Sequence, residues 1–442
     1  MLAALWLLVT AAWFRAYLRG RVAVLSVDDV RPGHFSVWVK NLRTDFDCAV
    51  LEEFLENKGT GDRQKAQIYS LNIAYDLDFY LISIQKLIDL HEHLLSLQAS
   101  KGSIFYVESA EIAETQAEIA QEEEKLKAEQ MLFRAGCKER QVGQAFVTFR
   151  RQTDARKVSK LWGKTNLQLF CRYLAHNLCG SQSQDFVDSY FIARLAPEPS
   201  DILWENLGVG WRYRQFRRAV TWVVSLSLIG GNFYAMIRLK ELQRYWFQGL
   251  KTGQLVDVYY EFTAYSFLLS VLIVLSNKVL SVIIRVLTAK EAHHSWTHFH
   301  QSVAHKLILL MALNSTGVLV AMNPFQDAQW FAPTGLVRDL LSLMLTEAVV
   351  GSLTYLLSPM HMAKLLKRWL LERADRAGTL SLTQIRANEV WENVPVDLAQ
   401  RYANVLKILF LTTTFCALEP LILPLAVLTL VCGYACAKVR SS

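Results

Sequence analysis

The sequence predicts a mainly α-helical, polytopic membrane protein that carries an α/β cytosolic domain. Hydrophobic residues make up 52% of the 442-residue chain, and the charged residues, 20% of the total, cluster and leave the second half strongly apolar. Long apolar runs in that half are separated by short connections. Lysine and arginine residues lie at the ends of these runs, so the formal net charge of +7 indicates contact with an anionic membrane surface more than with nucleic acid.

The first segment, residues 1–20, is predicted to be a transmembrane helix. An apolar run over residues 2–14 is followed by Arg15, Arg19 and Arg21. A signal peptide carries its charge before the apolar part, whereas this segment carries it afterwards. We therefore expect the C-terminal end of the helix to face the cytosol. We also expect that the chain begins partway into a membrane domain.

Residues 21–195 show the pattern of an α/β cytosolic domain. Period-two alternation predicts strands, and longer amphipathic stretches predict helices. The predicted strands cover residues 35–42, 67–75, 144–149 and 190–195, and the predicted helices cover 47–57, 77–99, 108–134 and 153–161. The order is βαβ, a long helical insert, and βαβ again.

This order resembles an RNA-recognition-motif fold with long inserted helices. Residues 37–42 and 143–149 are similar to its two signature strands, which would place Trp38 and Phe146 where bases stack. Gln144, however, stands where an aromatic platform residue is expected. We expect these aromatic residues to pack beneath the inserted helices, and nucleic acid is disfavoured as a partner.

Residues 196–218 are predicted to form a hinge and an interfacial helix. Two prolines stiffen the approach, because each fixes its own φ and biases the preceding residue toward an extended state. Asp201 is expected to cap a short amphipathic helix whose apolar residues, including Trp204, suit a membrane interface. The hinge motif consists of Pro197, Pro199, Asp201, Trp204 and Asn206.

Residues 219–437 are predicted to form a transmembrane bundle. Spans are expected at residues 219–237, 265–286, 307–322 and 340–357. The runs at 405–418 and 421–437 surround Pro420 and Pro424, which favours a re-entrant or short helical hairpin. Basic residues place the hinge, the 285–306 connection and the 364–376 segment in the cytosol. The basic loop after Ile237 does not fit that orientation, although nearby carboxylates partly balance it.

Polar residues recur inside these predicted spans, where each is costly unless it faces protein or water. Several fall on a single face of their helix, which favours a shared water-filled path. The alternative is that each group only forms hydrogen bonds between helices. We expect Lys278 and Glu347 to be able to pair. The pore-lining candidates are Thr221, Ser225, Asn232, Ser270, Asn277, Lys278, Ser281, Asn314, Thr316, Ser342, Thr346 and Glu347.

The sequence offers no support for enzymatic function or for a cofactor. It contains no nucleophile elbow, phosphate-binding glycine loop or metalloprotease helix. His294, His298 and His305 have a spacing that would suit a metal on one helical face, but a solvated connector at the lipid headgroups is the simpler interpretation. The seven cysteines show no zinc spacing, and reduced thiols are expected.

The hinge motif, together with Glu291, Ser295, His298, Lys306 and Asn314, resembles patterns of the OSCA family of hyperosmolality-gated, calcium-permeable, stress-gated cation channels, which are related to the anoctamins. Residues 419–424 are similar to a proline turn of that family. The family usually has eleven spans, and this chain is expected to lack the first two and the last two. A fragment or a reduced paralogue is therefore an open alternative.

The resemblance implies a pore opened by membrane tension or osmotic shrinkage, within residues 219–418. Tension favours the state of larger in-plane area, and Val274, Leu310 and Leu343 could gate by dewetting. The implied partners are membrane lipids and the cations calcium, sodium and potassium, with a homodimer left open. The implied location is the plasma membrane or an endomembrane. A phospholipid scramblase and a non-conducting membrane scaffold remain the alternatives.

Overall fold

The structure is a computed structural model. It describes residues 12–13, 15–18, 20–21, 30–42, 46–57, 59–61, 65–76, 78–100, 109–135, 140–163, 191–249, 255–322, 330–331, 335–353, 359–376, 384–392 and 397–441. Most of the predicted N-terminal span, including residues 1–11, lies outside the described residues. The described chain divides into two units, Met1–Ser83 with Glu124–Gly208, and Ile84–Glu123 with Val209–Ser442.

The first unit contains an antiparallel sheet of four strands among the described residues. The strand order is β2-β3-β1-β4, with Trp38 opposite Phe146 where β1 pairs with β3. Helix α1 follows β1 and helix α4 follows β3, which confirms the predicted alternation of elements. The bounds are β1 Ser36–Lys40, α1 Cys48–Asn57, β2 Ile68–Tyr75, β3 Gln141–Phe149, α4 Gln152–Trp162 and β4 Ile192–Leu195.

One face of this sheet packs on α1 and α4. The inward residues of the strands, such as Val37 and Val147, are fully buried with Leu51, Leu55 and other apolar side chains of the two helices. This burial follows from the period-two alternation that predicted the strands. Removing these side chains from water supplies the main stabilisation of the unit.

Two long helices lie between β2 and β3, as the sequence predicts. They are α2, Asp78–Ser100, and α3, Ser109–Ala135. The amide of Gln130 donates to the hydroxyl of Tyr80 at 2.7 Å. This hydrogen bond joins the start of α2, which follows β2, to the end of α3, which precedes β3. Further along, Lys86 Nζ donates to Glu122 Oε1 at 2.7 Å. The two helices therefore run antiparallel.

The second unit is helical in the part of the chain that the structure describes. Two of its helices continue directly into π-helical turns, at Ala312–Gly317 and at Glu347–Gly351. The bounds are α5 Trp211–Gly249, α6 Leu255–Ala289, α7 Trp296–Met311, α8 Val318–Met322, α9 Leu336–Thr346, α10 Pro359–Arg376, α11 Gln384–Trp391, α12 Leu398–Phe415 and α13 Ile422–Ser441.

Three of the described helical segments are long and apolar enough to cross a membrane. They are Trp211–Leu239, Ser270–Ala289 and Trp296–Ala321, and each overlaps a span predicted from the sequence. The third begins eleven residues earlier than expected, because Ser295 caps α7 by accepting a hydrogen bond from the His298 amide. The predicted hairpin around Pro420 is present as α12 and α13, which pack together.

Apolar packing holds the second unit together in two clusters. One joins α5, α6, α8, α9, α12 and α13 and includes Leu343, Met344 and Leu411. The other joins α5, α6, α7 and α12 and includes Ile284, Leu307 and Leu310.

Candidate functional site

Both π-helical turns place polar side chains inside the bundle. A π turn inserts an extra residue, which rotates the following side chains relative to an ordinary helix and is frequent at functional sites. The turn Ala312–Gly317 buries Asn314, Ser315 and Thr316. The turn Glu347–Gly351 buries Glu347. These two turns are the centre of the candidate site.

A chain of hydrogen bonds, here called the asparagine chain, connects three helical segments through the first turn. Asn314 Nδ2 donates to Asn277 Oδ1 at 2.6 Å and to Ser276 Oγ at 3.3 Å. Ser276 Oγ in turn donates to Asn232 Oδ1 at 3.1 Å. Asn232 lies on α5 and the Ser276–Asn277 pair on α6, so side chains from three elements converge on one point. The chain satisfies these side chains only in part, because Asn232 Nδ2, Asn277 Nδ2 and Asn314 Oδ1 are buried with no hydrogen-bond partner among the described residues.

The second turn contributes a buried ion pair. Lys407 Nζ on α12 lies 2.5 Å from Glu347 Oε1, and both side chains are almost fully buried. A β carbon added to Gly351 would come within 2.8 Å of Glu347 Oε2. Glycine at that position therefore leaves the room that the carboxylate occupies.

A cavity of about 220 Å³ lies beside this pair. Its walls come from α6, the second π turn, α12 and α13. A water molecule occupies about 30 Å³ of liquid, so the space is large enough for several. Its charged lining residues are Lys278, Glu347, Arg401 and Lys407, and its other polar side chains include Asn277, Ser352, Asn404 and Thr429.

The twelve predicted pore-lining residues separate into several groups in the structure. Asn277, Lys278 and Glu347 line the cavity, and the asparagine chain links Asn232 and Asn314 to Asn277. Ser270 Oγ and Ser342 Oγ lie 3.1 Å apart and join α6 to α9. Ser281 and Thr346 donate only to carbonyls of their own helices in the hydrogen bonds that the structure shows. Ser225 and Thr316 are buried, with no hydrogen-bond partner among the described residues.

The expected pairing of Lys278 with Glu347 stays a prediction, and the structure shows a second lysine beside that carboxylate. Glu347 pairs with Lys407, while Lys278 lines the same cavity. Lys407 could have been found from the sequence, because it is a lone lysine inside the apolar run 405–418. Arg401 precedes that run and gave no comparable signal.

Thr221 belongs to a different group, which we call the Glu291 cluster: Glu291, Lys306, Thr221, Ser302 and His293. Its centre is the carboxylate of Glu291, which is 1% exposed and pairs with the fully buried ammonium of Lys306. The hydroxyls of Thr221 and Ser302 donate to the same carboxylate at 2.6 and 3.0 Å. His293 Nε2 lies 2.9 Å from Glu291 Oε2. The cluster fastens the turn between α6 and α7 to α5.

The electrostatics of this cluster favour the charged carboxylate. Burial alone would raise the pKa of Glu291, but hydrogen bonds from His293, Lys306 and Thr221, with the charge of Lys306, outweigh it and lower that pKa to about 2. Glu291 and Lys306 are both among the residues on which the predicted family resemblance rests, and in the structure they form an ion pair.

The histidines between residues 293 and 305, predicted to lie on a solvated connector, are only partly exposed, and three of them belong to helix α7. His293 is buried against Glu291, and Arg214 contacts His294, whereas His298, His300 and His305 are exposed on α7. Among the described residues, no group of three or more metal-ligating side chains converges.

The hinge motif folds differently from the prediction. Pro199–Asp201 and Trp204–Asn206 form separate 3₁₀ turns, and Asp201 does not cap an α-helix. Ile202 and Leu207 are buried against Trp38 and Ala74 on the open face of the sheet, instead of facing lipid. This segment begins after Pro197, which follows β4 closely.

The open sheet face is therefore occupied by the chain itself. Trp38 stacks on Phe146 with ring centroids 5.3 Å apart, and Trp204 packs on Phe146 at 5.5 Å. Gln144 Oε1 accepts from the indole of Trp38 at 3.0 Å, and its amide donates to the Leu207 carbonyl at 3.1 Å. In the part of the chain that the structure describes, residues 202–207 cover Trp38 and Phe146. The sequence had predicted that the inserted helices would cover them.

Comparison with known proteins supports the membrane assignment. Residues 80–206 match the family model described as the cytosolic domain of 10TM putative phosphate transporter, a domain found in OSCA family proteins. No curated protein matches the chain. The matched domain is of a transporter or channel type and not of an enzyme class. With the three apolar helices, it indicates a membrane protein of a transporter or channel family that carries a cytosolic domain.

Proposed function

We propose that the protein is a calcium-permeable, non-selective cation channel opened by membrane tension, with the asparagine chain and the adjoining cavity on its conduction path. The observation that carries the proposal is the convergence of polar groups from three helical segments on the Ser276–Asn277 pair. Asn277 of this pair also lines the cavity. Partly hydrated ions need such amide oxygens where water is scarce.

The arrangement in the structure corresponds to a closed state under this proposal. The predicted dewetting residues Val274, Leu310 and Leu343 are almost completely buried. Leu310 and Leu343 lie within the two apolar clusters, where close packing leaves no room for a hydrated ion, whereas Val274 lines the cavity. Tension would favour a state of larger in-plane area, in which these side chains separate.

The charges of the cavity give opening a second requirement. Three basic side chains and one carboxylate line it, and the carboxylate is paired. A net positive lining repels cations. Movement of Lys407 away from Glu347 on opening would lower this positive charge and leave the carboxylate facing the path.

The proposal is tested with the purified full chain in liposome patches under suction. We expect cation currents that rise with tension and that fall at least tenfold in Asn314→Leu. Thr413→Val is the matched control, because it also removes a polar group, but at an exposed site on α12. This variant should leave the current unchanged. Equal currents in Asn314→Leu and the parent protein would exclude the asparagine chain from the path.

A lipid scramblase is the second candidate, and the basic lining of the cavity favours it. Lys278, Arg401 and Lys407 could attract the phosphate of a passing headgroup. Loss of fluorescent-lipid signal to external dithionite in proteoliposomes would support scrambling. If the folded protein shows neither cation current nor lipid scrambling, the result favours a non-conducting membrane scaffold.

We also infer an RNA-recognition-like fold for the cytosolic domain. The order β2-β3-β1-β4, with a helix after β1 and another after β3, supports it. The segment 202–207 covers the face on which RNA would stack, so a salt-sensitive gel shift should show no specific RNA binding. The homodimer stays a prediction, which mass measurement of the detergent-solubilised protein tests.

A further inference from the structure

Helix α10 carries an apolar face that the described part of the protein leaves open. Met362, Leu365, Leu366, Trp369 and Leu370 are each between 42% and 57% exposed. Their spacing of three, one, three and one residues puts them on one stripe, roughly 140° wide at 100° per residue. A continuous apolar stripe of this width on an exposed helix indicates a binding surface.

The opposite side of α10 is held by α11. Lys364 Nζ donates to the carbonyls of Glu389 and Glu392 at 3.1 and 3.0 Å. Arg368 donates to the carbonyls of Val390 and Trp391, both at 2.9 Å. These are the last carbonyls of α11, which lack partners within their own helix. The contacts fix the rotation of α10 and turn its apolar stripe away from α11.

Positive charge accompanies the stripe. The helix contains five basic residues and two acidic residues. Lys364 and Arg368 bind α11, which leaves Lys367, Arg373 and Arg376 beside or at the end of the stripe. The guanidinium carbon of Arg373 lies 5.6 Å from the centre of the Trp369 ring. An aromatic ring beside cations on an amphipathic helix is typical of the headgroup region of an anionic membrane.

Both ends of the α10–α11 segment connect to the transmembrane bundle. Six peptide steps join residue 353, next to the second π turn, to Pro359 at the start of α10, and they span at most about 20 Å. At the other end, Asp397 pairs with Arg285, which lies near the end of the candidate span Ser270–Ala289. Ser352, next to residue 353, and Arg401, four residues after Asp397, line the same cavity, so both sides of the segment start from one region of the bundle.

We propose that α10 lies in the plane of the lipid headgroups and binds anionic phospholipid, with its apolar stripe inserted among the acyl chains. The combined stripe, tryptophan and basic residues select a bilayer with negative surface charge. This role is independent of conduction, and it holds whether the bundle carries ions, lipids or neither.

Photo-crosslinking of the full chain in liposomes tests the proposal. The probe is a phospholipid with a diazirine in its acyl chain, carried in phosphatidylcholine alone or with 30% phosphatidylserine. We expect adducts on Leu366, Trp369 and Leu370, and none on Leu371, which faces the other side of the helix. We expect at least threefold more adducts when phosphatidylserine is present.

Two double variants separate the contribution of the apolar stripe from that of the basic residues. Leu366→Glu with Trp369→Glu should abolish the adducts on α10, with no change in adducts on the spans. Arg373→Gln with Arg376→Gln should remove the dependence on phosphatidylserine, whereas Arg150→Gln with Arg151→Gln, an equal loss of charge elsewhere, should not. Three results would overturn the proposal. They are the absence of adducts from α10 in the folded parent protein, adducts spread over all faces of α10, and concentration-dependent protein–protein crosslinks through the stripe.

Discussion

Lys407 Nζ lies 2.5 Å from Glu347 Oε1, and this ion pair is buried between α12 and the π turn that follows α9. Two opposite charges removed from water are stable together, whereas either alone is costly. The pair therefore holds two helical segments in one arrangement. Any state of the bundle that separates them must supply water or another counter-charge.

The first prediction concerns the stability of this arrangement. Glu347→Gln alone or Lys407→Met alone should lower the free energy of unfolding by about 3–5 kcal/mol, because each leaves one charge buried and unpaired. The double variant should lose less than the sum of the two, which a denaturant titration in detergent micelles measures. Additive losses in this cycle would show that the pair is not coupled.

The second prediction concerns the Glu291 cluster. Lys306→Met removes the fully buried ammonium beside Glu291, so we expect a loss of about 3–5 kcal/mol in the free energy of unfolding. Lys290→Met removes an exposed lysine one residue from Glu291 and should cost less than about 1 kcal/mol. Equal effects of the two substitutions would contradict a structural role for the cluster.

The pH dependence of the same cluster is the third prediction. The pKa of Glu291 is about 2 in the folded protein against an ordinary value of 4.5, so ionisation of this carboxylate stabilises the fold above pH 4.5. That stabilisation is lost as the pH falls from 4.5 through 2. The difference in unfolding free energy between the parent protein and Glu291→Gln should shrink as the pH falls below 4.5. A difference in unfolding free energy that grows as the pH falls below 4.5 would contradict this prediction.

The fourth prediction concerns the covered sheet face. Gln144→Leu removes the side chain that joins Trp38 to the Leu207 carbonyl, so residues 202–207 should exchange their amide hydrogens faster. The cost in stability should be about 1–2 kcal/mol, since two buried partners lose a hydrogen bond. Gln67→Ala, an exposed glutamine of the same unit, serves as the control. Unchanged exchange at 202–207 would show that Gln144 does not hold the segment.

Much of the architecture could be predicted from residue patterns. Period-two and helical alternation located β1 to β4, α1 to α4 and the three candidate spans, because each element buries one face. The hinge was predicted incorrectly because Ile202, Trp204 and Leu207 suit a membrane interface and a sheet face equally well. Composition does not distinguish these two apolar surroundings.

The candidate site was only partly predictable. Helical spacing placed Asn232, Asn277 and Asn314 on inward faces, and they do meet. The ion pair of Glu347 with Lys407 was not predicted, because pairing across helices depends on their mutual rotation, which two π turns change locally. Thr221 fell on the same stripe as Ser225, yet the turn after α6 supplies it with the carboxylate of Glu291.

The central claim is that ions cross the bundle through the cavity lined by Glu347 and Lys407, and unitary currents test it most directly. Tension-activated single-channel currents are recorded from liposome patches of the parent protein, Glu347→Gln and Lys407→Met. The account predicts a lower tension threshold and a larger cation conductance for Lys407→Met, and a smaller conductance for Glu347→Gln. No tension-activated current from the folded parent protein, or identical unitary currents in all three, would contradict it.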